Sequence, residues 1–373
     1  MKDPFFLCYF ETTRSCNLHC TYCMTRRPTA NYEKQLTTEE AKTLVLDELA
    51  AISNNSLVAF SGGEHLLRPD AYELLAHAAK RNLWSFINTN GQILLETEAV
   101  RKAADATSGK IIFAFPLNSV DAATNRTSRN DGPQTVLRAA KLCEKEHVPY
   151  FFILTVSKGN LPTLPDTMRH ISKTGVPMLR SPFVPRGSGG QFRNLLLDAT
   201  DMEQVVHPAL TANHLSYASY TPFFASPDII DSASRLLGLT MAGLGCQAAR
   251  SFAAVSAEGE VAPCVHLLDS SCVCGNVRHG RLREIIRDAP LFTALRERTG
   301  LKGKCGRCRY RQTCGGCRAQ AYYHSGDVEG EDPTCFFDPA GPETRSRLET
   351  TQTIQLGRFF LYVKTRAPWK HFL

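Results

Sequence analysis

The chain has 373 residues, 43% of them hydrophobic and 21% charged, the balance of a folded protein long enough for two domains. No apolar run reaches the ~20 residues a membrane helix needs, and Met1-Lys2-Asp3-Pro4 opens a poor secretory signal, so the expectation is a cytoplasmic protein without a transmembrane segment. The formal charge of +7 favours an anionic partner without naming one, and with no Lys/Arg run and no aromatics among the basic stretches, nucleic acid is not expected as a partner.

Residues 5 to about 185 read as strands alternating with helices. Phe5 to Glu11 is an apolar strand. Thr37 with Glu40 forms a capping box, followed by Val45, Leu49 and Ile52 at helical spacing. Leu57 to Phe60 is a short strand that ends at Ser61-Gly62-Gly63-Glu64. A helix over about 69–82 leads to the strand Trp84 to Asn88, which ends at Thr89-Asn90-Gly91. A helix near 94–107, a strand Lys110 to Phe115, a helix near 133–147 and a strand Tyr150 to Val156 follow, then a helix near 163–174 and a strand near 178–184. Strands separated by helices of this length imply parallel βαβ units with right-handed crossovers. Six units are too few for a closed eight-stranded barrel, so an α/β partial barrel or open sheet is expected, with its active face at the strand carboxyl ends. Pro185, Gly187, Gly189 and Gly190 open a less regular bridge, and from Cys246 to Cys335 short segments run between cysteines and glycines.

Fourteen cysteines in a chain of a reducing compartment point to metal rather than disulfides. Cys16, Cys20 and Cys23 fall within eight residues, directly after the first strand. Thiolates hold iron–sulfur clusters, normally four for a cubane, so three from one loop leave one iron without a protein ligand. Zinc with a fourth ligand such as His19 is the competing reading. Cys8 and Cys143, within a strand and a helix, read as core thiols.

The segment Cys16-x3-Cys20-x2-Cys23, with Tyr22 before its last cysteine and Gly62-Gly63-Glu64 after strand two, resembles the radical S-adenosylmethionine enzymes. The resemblance implies a [4Fe-4S] cluster whose open iron holds S-adenosylmethionine and cleaves it reductively to a 5'-deoxyadenosyl radical. It also implies that Tyr22 contacts the adenine, that Gly62, Gly63 and Glu64 receive the methionine end, and that Asn90 and Asn118 border the cofactor. His65 stands where the family usually has proline, and Pro116-Leu117-Asn118-Ser119 replaces its Ser-Leu-Asp, leaving Asn118 for the ribose.

Cys246, Gly259 four residues before Cys264, Cys305-x2-Cys308-x5-Cys314-x2-Cys317 and Cys335 resemble the SPASM domain, which carries two auxiliary iron–sulfur clusters. The bland alternative is a double zinc ribbon. Carried over by position, Cys246, Cys264 and Cys317 bind the first auxiliary cluster, and Cys305, Cys308, Cys314 and Cys335 the second. Cys272 or Cys274 could complete the first, which is otherwise a two-iron cluster or has an open iron. The implied organisation is a partial (βα)6 TIM-like barrel over 1–205, a bridge over 206–245, a small α+β SPASM domain over 246–337 and a tail over 338–373.

Auxiliary clusters suit net oxidation, because they accept the electron left on the substrate after hydrogen abstraction. The cysteine spacing and Glu11-Thr12-Thr13-Arg14-Ser15-Cys16 look like two branches: peptide-modifying maturases, and the decarboxylases and side-chain removers of alternative haem pathways. The broader branch, peptide or peptide-derived cofactor maturation, is preferred. Only 15 residues precede Cys16, so a leader-binding protein would be separate. Arg180, Arg186 and Arg193 are candidates to meet a polycarboxylate tetrapyrrole at the barrel mouth, against the plainer expectation of solvated surface charge. Ferredoxin or flavodoxin is the implied electron donor, an iron–sulfur electron carrier is the distant alternative, and no general acid or base is identified. The apolar run over 358–364, with Trp369 and Lys370, is expected to pack on the barrel or touch a membrane or partner.

Overall fold

A computed structural model describes residues 6–25, 34–54, 56–176, 178–212, 245–268, 270–312 and 314–339. Phe5, most of the expected bridge (213–244) and nearly all of the tail, with the 358–364 run, Trp369 and Lys370, lie outside the described residues.

Six parallel strands follow one another in space as in sequence: β1 (Phe6–Thr13), β2 (Ser56–Gly62), β3 (Trp84–Asn88), β4 (Ile111–Pro116), β5 (Tyr150–Val156) and β6 (Met178–Pro182). All eight residues of β1 are buried, as expected of a parallel strand covered on both faces. Helices α1 (residues 38–50, widened to π geometry over Ala41–Leu46), α2 (Ala71–Lys80), α3 (Thr97–Ala106), α4 (Ala122–Arg129), α5 (Gln134–Lys145) and α6 (Leu164–Thr174) make the crossovers. The Thr37/Glu40 capping box starts α1: Glu40 N donates to Thr37 Oγ1 at 3.2 Å and Thr37 N donates to Glu40 Oε2 at 2.8 Å. Between sheet and helices lies the larger core, which contains Cys8 and Cys143, both fully buried.

The cysteine-rich region does not build a sheet of its own. β7 (Phe252–Val255) pairs parallel to β1 on its free edge, and β8 (Glu260–Ala262) and β9 (Gly275–Asn276) follow antiparallel, giving the order β6-β5-β4-β3-β2-β1-β7-β8-β9. β7 is buried throughout, so it fits the doubly covered edge position beside β1. The sheet's inner face holds a second core, from Tyr9, Phe86 and Ile112 to Leu267, Cys317 and Ala319.

Among the described residues no strand pairs β6 to β9, and side chains bridge that gap instead. Arg186 Nη1 donates to Val265 O at 3.0 Å, Gln320 Nε2 donates to Phe183 O at 2.8 Å, and Ser181 Oγ lies 3.1 Å from His266 Nε2. The partial barrel is thus sealed by the C-terminal region. Its anchor is Glu11, fully buried, which accepts from Arg14 Nη1 at 2.6 Å and from Arg186 Nη2 at 2.8 Å. Arg14 also grips Glu258 through Nε and Nη2, at 3.1 and 2.7 Å.

Two expectations about arginines change here. Arg180 and Arg186 are 1% and 3% exposed, not solvated. Arg180 pairs in register with Leu154, a residue of the helix-side core, so it faces away from the barrel interior, where burial and then the Arg180 charge lower the pKa of His207. Arg186 serves the Glu11 network, and exposed Arg193 donates to Tyr323 O.

Removing one member of a buried ion pair leaves an uncompensated charge and typically costs about 3–5 kcal/mol. Glu11→Ala takes this carboxylate from Arg186 and leaves Arg14 with Glu258 as its acidic partner, so denaturation should show a loss of about that size, and a change under about 1 kcal/mol would mean that Glu11 does not hold the seam.

Candidate active site and cluster centres

A bulge in the β1–β2 pairing between Glu11 and Thr13 bends the end of β1 into the Cys16–Cys23 loop. Both ends of that loop are tied down. Arg14 Nη1 donates to Thr25 O at 3.1 Å, Gly63 N to Thr13 O at 2.7 Å, and Glu64 N to Ser15 O at 2.8 Å. A Cβ at Gly63 would lie 2.0 Å from Ser15 O, and one at Gly62, which has φ +110°, would lie 2.3 Å from Thr13 O. The two glycines therefore let the chain's own cysteine loop approach, over and above any room they leave for a ligand.

The three cysteines open onto a cavity of about 220 Å³ lined also by Tyr22, Gly62, Gly63, Asn90 and Asn118. Tyr22 is held edge-on by Phe183 at 5.2 Å and Phe192 at 6.2 Å between ring centroids. Asn90 Nδ2 donates to Asn17 Oδ1 at 2.6 Å and lies 3.9 Å from Cys16 Sγ. Asn118 lines the wall, but its amide is engaged within the protein: Oδ1 accepts from Thr155 N at 3.1 Å and Nδ2 donates to Ser128 Oγ at 3.0 Å.

Glu64 is not among the lining residues. Its carboxylate lies behind Asn90, accepting from Asn90 N at 2.8 Å and Thr89 Oγ1 at 3.0 Å, with Oε1 unpaired and buried. Burial pushes its pKa up to about 7 against those hydrogen bonds. Fully buried His65, in the position usually taken by proline, stacks on Phe60 at 4.6 Å with Nδ1 2.8 Å from Thr12 Oγ1, and burial, then Arg68, lowers its pKa to about 3. It packs the loop from below. His19 is exposed and is not among the residues lining the cavity.

Residues that the sequence reading did not single out complete the wall. Arg129, at the end of α4, is the one permanent cation among the lining residues described. Ser61 donates to Tyr9 Oη at 2.6 Å and accepts from Asn88 Nδ2 at 3.1 Å. Ser181 and His266 close the far end, His266 being 6% exposed with its pKa lowered to about 4 by burial and then Arg186.

A second cavity, of about 30 Å³, is lined by Cys305, Cys308, Cys314 and Cys335 together. Cys246, Cys264 and Cys317 sit apart from it, with Cys246 N donating to Cys314 O at 2.8 Å. None of the fourteen cysteines is in a disulfide. Among the described residues no three His, Cys, Asp or Glu side chains converge on a single-ion point. A cubane spreads its thiolates around its own width, and such a cluster fits these donors: Leu18 N lies 3.4 Å and Thr25 Oγ1 3.2 Å from the sulfurs of Cys16 and Cys23, and Asp332 N lies 3.4 Å from Cys305 Sγ. Such donors favour thiolate over thiol. Burial otherwise pushes Cys16 up to about 11 and Cys264 to about 12, so metal loading would release protons.

Residues 10–171 match the radical SAM superfamily, and residues 246–318 match SPASM, an iron–sulfur cluster-binding domain. The AdoMet-dependent heme synthase of Nitratidesulfovibrio vulgaris is 30% identical over 346 residues, 88% of this chain and 92% of that protein. The chain belongs to the radical SAM superfamily. Mycofactocin maturase MftC of Mycobacterium ulcerans is 26% identical over 337 residues, covering 89% of this chain and 88% of that protein. In fold it is similar to Streptococcus suis SuiB bound to S-adenosylmethionine, with TM-score 0.66 at 18% identity over 89% of this chain and 75% of that one. This radical SAM protein is accordingly an enzyme of the SPASM type, whose cofactors are a [4Fe-4S] cluster, S-adenosylmethionine and auxiliary iron–sulfur clusters.

Gly63→Ala should displace the cysteine loop from Ser15. The loaded protein should then lose about four irons per chain, one cubane's worth, while absorbance from the C-terminal clusters persists; full iron content would show that the loop tolerates the methyl group.

Proposed function

We propose that Cys16, Cys20 and Cys23 hold the cluster that meets S-adenosylmethionine, and that the substrate is oxidised in the cavity walled by that loop and by the C-terminal region. The observation that carries this reading is the single cavity bounded by the three cysteines at one end and by Ser181 and His266 at the other. When bound, the cluster and S-adenosylmethionine supply a carbon radical that removes a hydrogen atom from the substrate. The chain's residues supply position: Tyr22 offers a ring face held by Phe183, Asn90 borders Cys16, and Arg129 faces an anionic group such as a carboxylate. Glu64 acts from behind the wall, orienting Asn90. Cys246, Cys264 and Cys317 are assigned to one auxiliary cluster, and Cys305, Cys308, Cys314 and Cys335 to the other, each as an electron acceptor.

For the substrate, the similarity to AdoMet-dependent heme synthase along 88% of the chain supports a tetrapyrrole carrying propionate groups. A propionate that loses a hydrogen atom, carbon dioxide and one electron becomes a vinyl group, so hydrogen and electron acceptors must lie near one site. Peptide maturation is the second reading, supported by the 26% identity to the mycofactocin maturase, and would draw on a separate leader-binding protein. The electron donor is ferredoxin or flavodoxin. The setting is the cytoplasm, where cysteines stay out of disulfides; no helix among the described residues is long and apolar enough to cross a membrane.

Loaded anaerobically and reduced with dithionite, the enzyme should form 5'-deoxyadenosine from S-adenosylmethionine, and no such product would sink the assignment of Cys16, Cys20 and Cys23. An iron porphyrin carrying propionate groups should then lose carbon dioxide to give vinyl products by mass spectrometry. An unchanged porphyrin beside active cofactor cleavage would shift the reading to a peptide.

Arg129→Met should weaken S-adenosylmethionine binding roughly tenfold or more, as loss of a charge-assisted hydrogen bond does. Equilibrium binding checks it: Arg129→Lys should retain most of the affinity, and equal binding by Arg129→Met would place the carboxylate elsewhere.

A further inference from the structure

The ligand set that the SPASM resemblance implies gives the first auxiliary centre three cysteines, one short of a cubane's usual set. Two further thiols, Cys272 and Cys274, follow Cys264 on the turn between β8 and β9, and the fold separates them. Cys274 N donates to Val261 O at 2.7 Å, extending the β8–β9 pairing. Its sulfur turns back on its own segment, donating to Cys272 O at 3.3 Å, and its side chain packs against the helix-side core. Cys272 goes the other way. It is 3% exposed and belongs to the inner-face core that also contains Cys317, at 2%, while Cys264 packs against both cores and Cys246 lies in the helix-side one.

Ser270 forms the device that bends the chain there. Its Oγ donates to Leu267 O at 2.6 Å and accepts from Cys272 N at 3.1 Å, while Val273 N donates to Ser270 O at 3.2 Å. The turn thus folds Cys272 back over the segment that carries Cys264. Thiolates gathered in an apolar core repel one another unless a cation binds them together.

We infer that Cys272 is the fourth protein ligand of the first auxiliary cluster, joining Cys246, Cys264 and Cys317, and that this cluster has no open iron. It rests on the proposed function only in needing an iron–sulfur cluster at these cysteines. A fully ligated cluster offers no coordination position to substrate, so its part in the reaction is to take the electron. Cys274 is a packing residue of the β8–β9 hairpin.

The test uses the full chain with Cys16, Cys20 and Cys23 all exchanged for Ala, so that only auxiliary clusters remain. The parent, Cys272→Ala, Cys272→Ser and Cys274→Ala are loaded anaerobically, reduced with dithionite, and compared by iron content and electron paramagnetic resonance with and without cyanide. In the Cys272 variants one auxiliary signal should be lost or should shift on adding cyanide, while the signal from the Cys305, Cys308, Cys314 and Cys335 centre persists and reports that the domain has folded. Parent and Cys274→Ala should not respond to cyanide. Cys272 variants that keep the parent's iron and spectrum, a parent whose cluster already binds cyanide, or a response confined to Cys274→Ala would each overturn the inference while leaving the radical-enzyme reading in place. A parent loaded with zinc instead of iron would overturn the auxiliary-cluster assignment and this inference together.

Discussion

Glu11 is the hinge of the architecture. It is fully buried, and its two oxygens hold arginines from opposite directions: Arg14, which begins the cysteine loop, and Arg186, which leads away from the last barrel strand. Arg14 continues to Thr25 O beyond Cys23 and to Glu258 in the C-terminal region, and Arg186 continues to Val265 O. One carboxylate therefore fixes the loop that carries Cys16, Cys20 and Cys23 relative to both edges of an open sheet. Buried ion pairs seldom add much net stability, because desolvation offsets the attraction. What this one contributes is geometry, since each oxygen has one partner and any shift of the loop strands a charge.

The double glycine acts by the same logic at shorter range. Ser15 O lies where a Gly63 side chain would begin, so β2 and the cysteine loop meet backbone to backbone. Glu64 then turns its carboxylate onto Asn90 and Thr89 at the end of β3. The ends of the first three strands are linked in series by short polar contacts, and the cavity forms on the far side of that chain. A carboxylate beside glycines is readily taken for a ligand-binding group. Here its nearest work is within the protein.

Much of this was legible in the sequence, and the reasons differ by feature. Parallel strands covered on both faces are near-continuous apolar runs, so β1 to β6 stand out between helices of regular spacing. The grouping of Cys305, Cys308, Cys314 and Cys335 around one cavity follows their spacing and the resemblance that organises it. Helix α4 was passed over because Ala-Ala-Thr-Asn-Arg-Thr-Ser-Arg shows no apolar period, and Arg129 was lost with it. The burial of Arg180 and Arg186 was equally hidden. Charge predicts exposure unless a partner is known, and Glu11 lies 175 residues from Arg186 along the chain. The pairing of β7 with β1 crosses a still longer separation. His266 was within reach, because a histidine two residues after a ligand-type cysteine in a turn is a candidate for the same site.

The C-terminal region is therefore part of the active-site wall rather than an attachment to it. His266 contacts β6 itself, and Val265 and Gln320 the segment after it, from the far side of the gap, and the same short stretches carry Cys264 and Cys317. Any shift that opened the seam would move those cysteines away from the cavity at the same time. Coupling the wall to the cysteines keeps the distance from substrate to electron acceptor short whenever the cavity is closed to water. An enzyme that must remove both a hydrogen atom and an electron from one carbon skeleton gains from having a single set of contacts enforce both conditions.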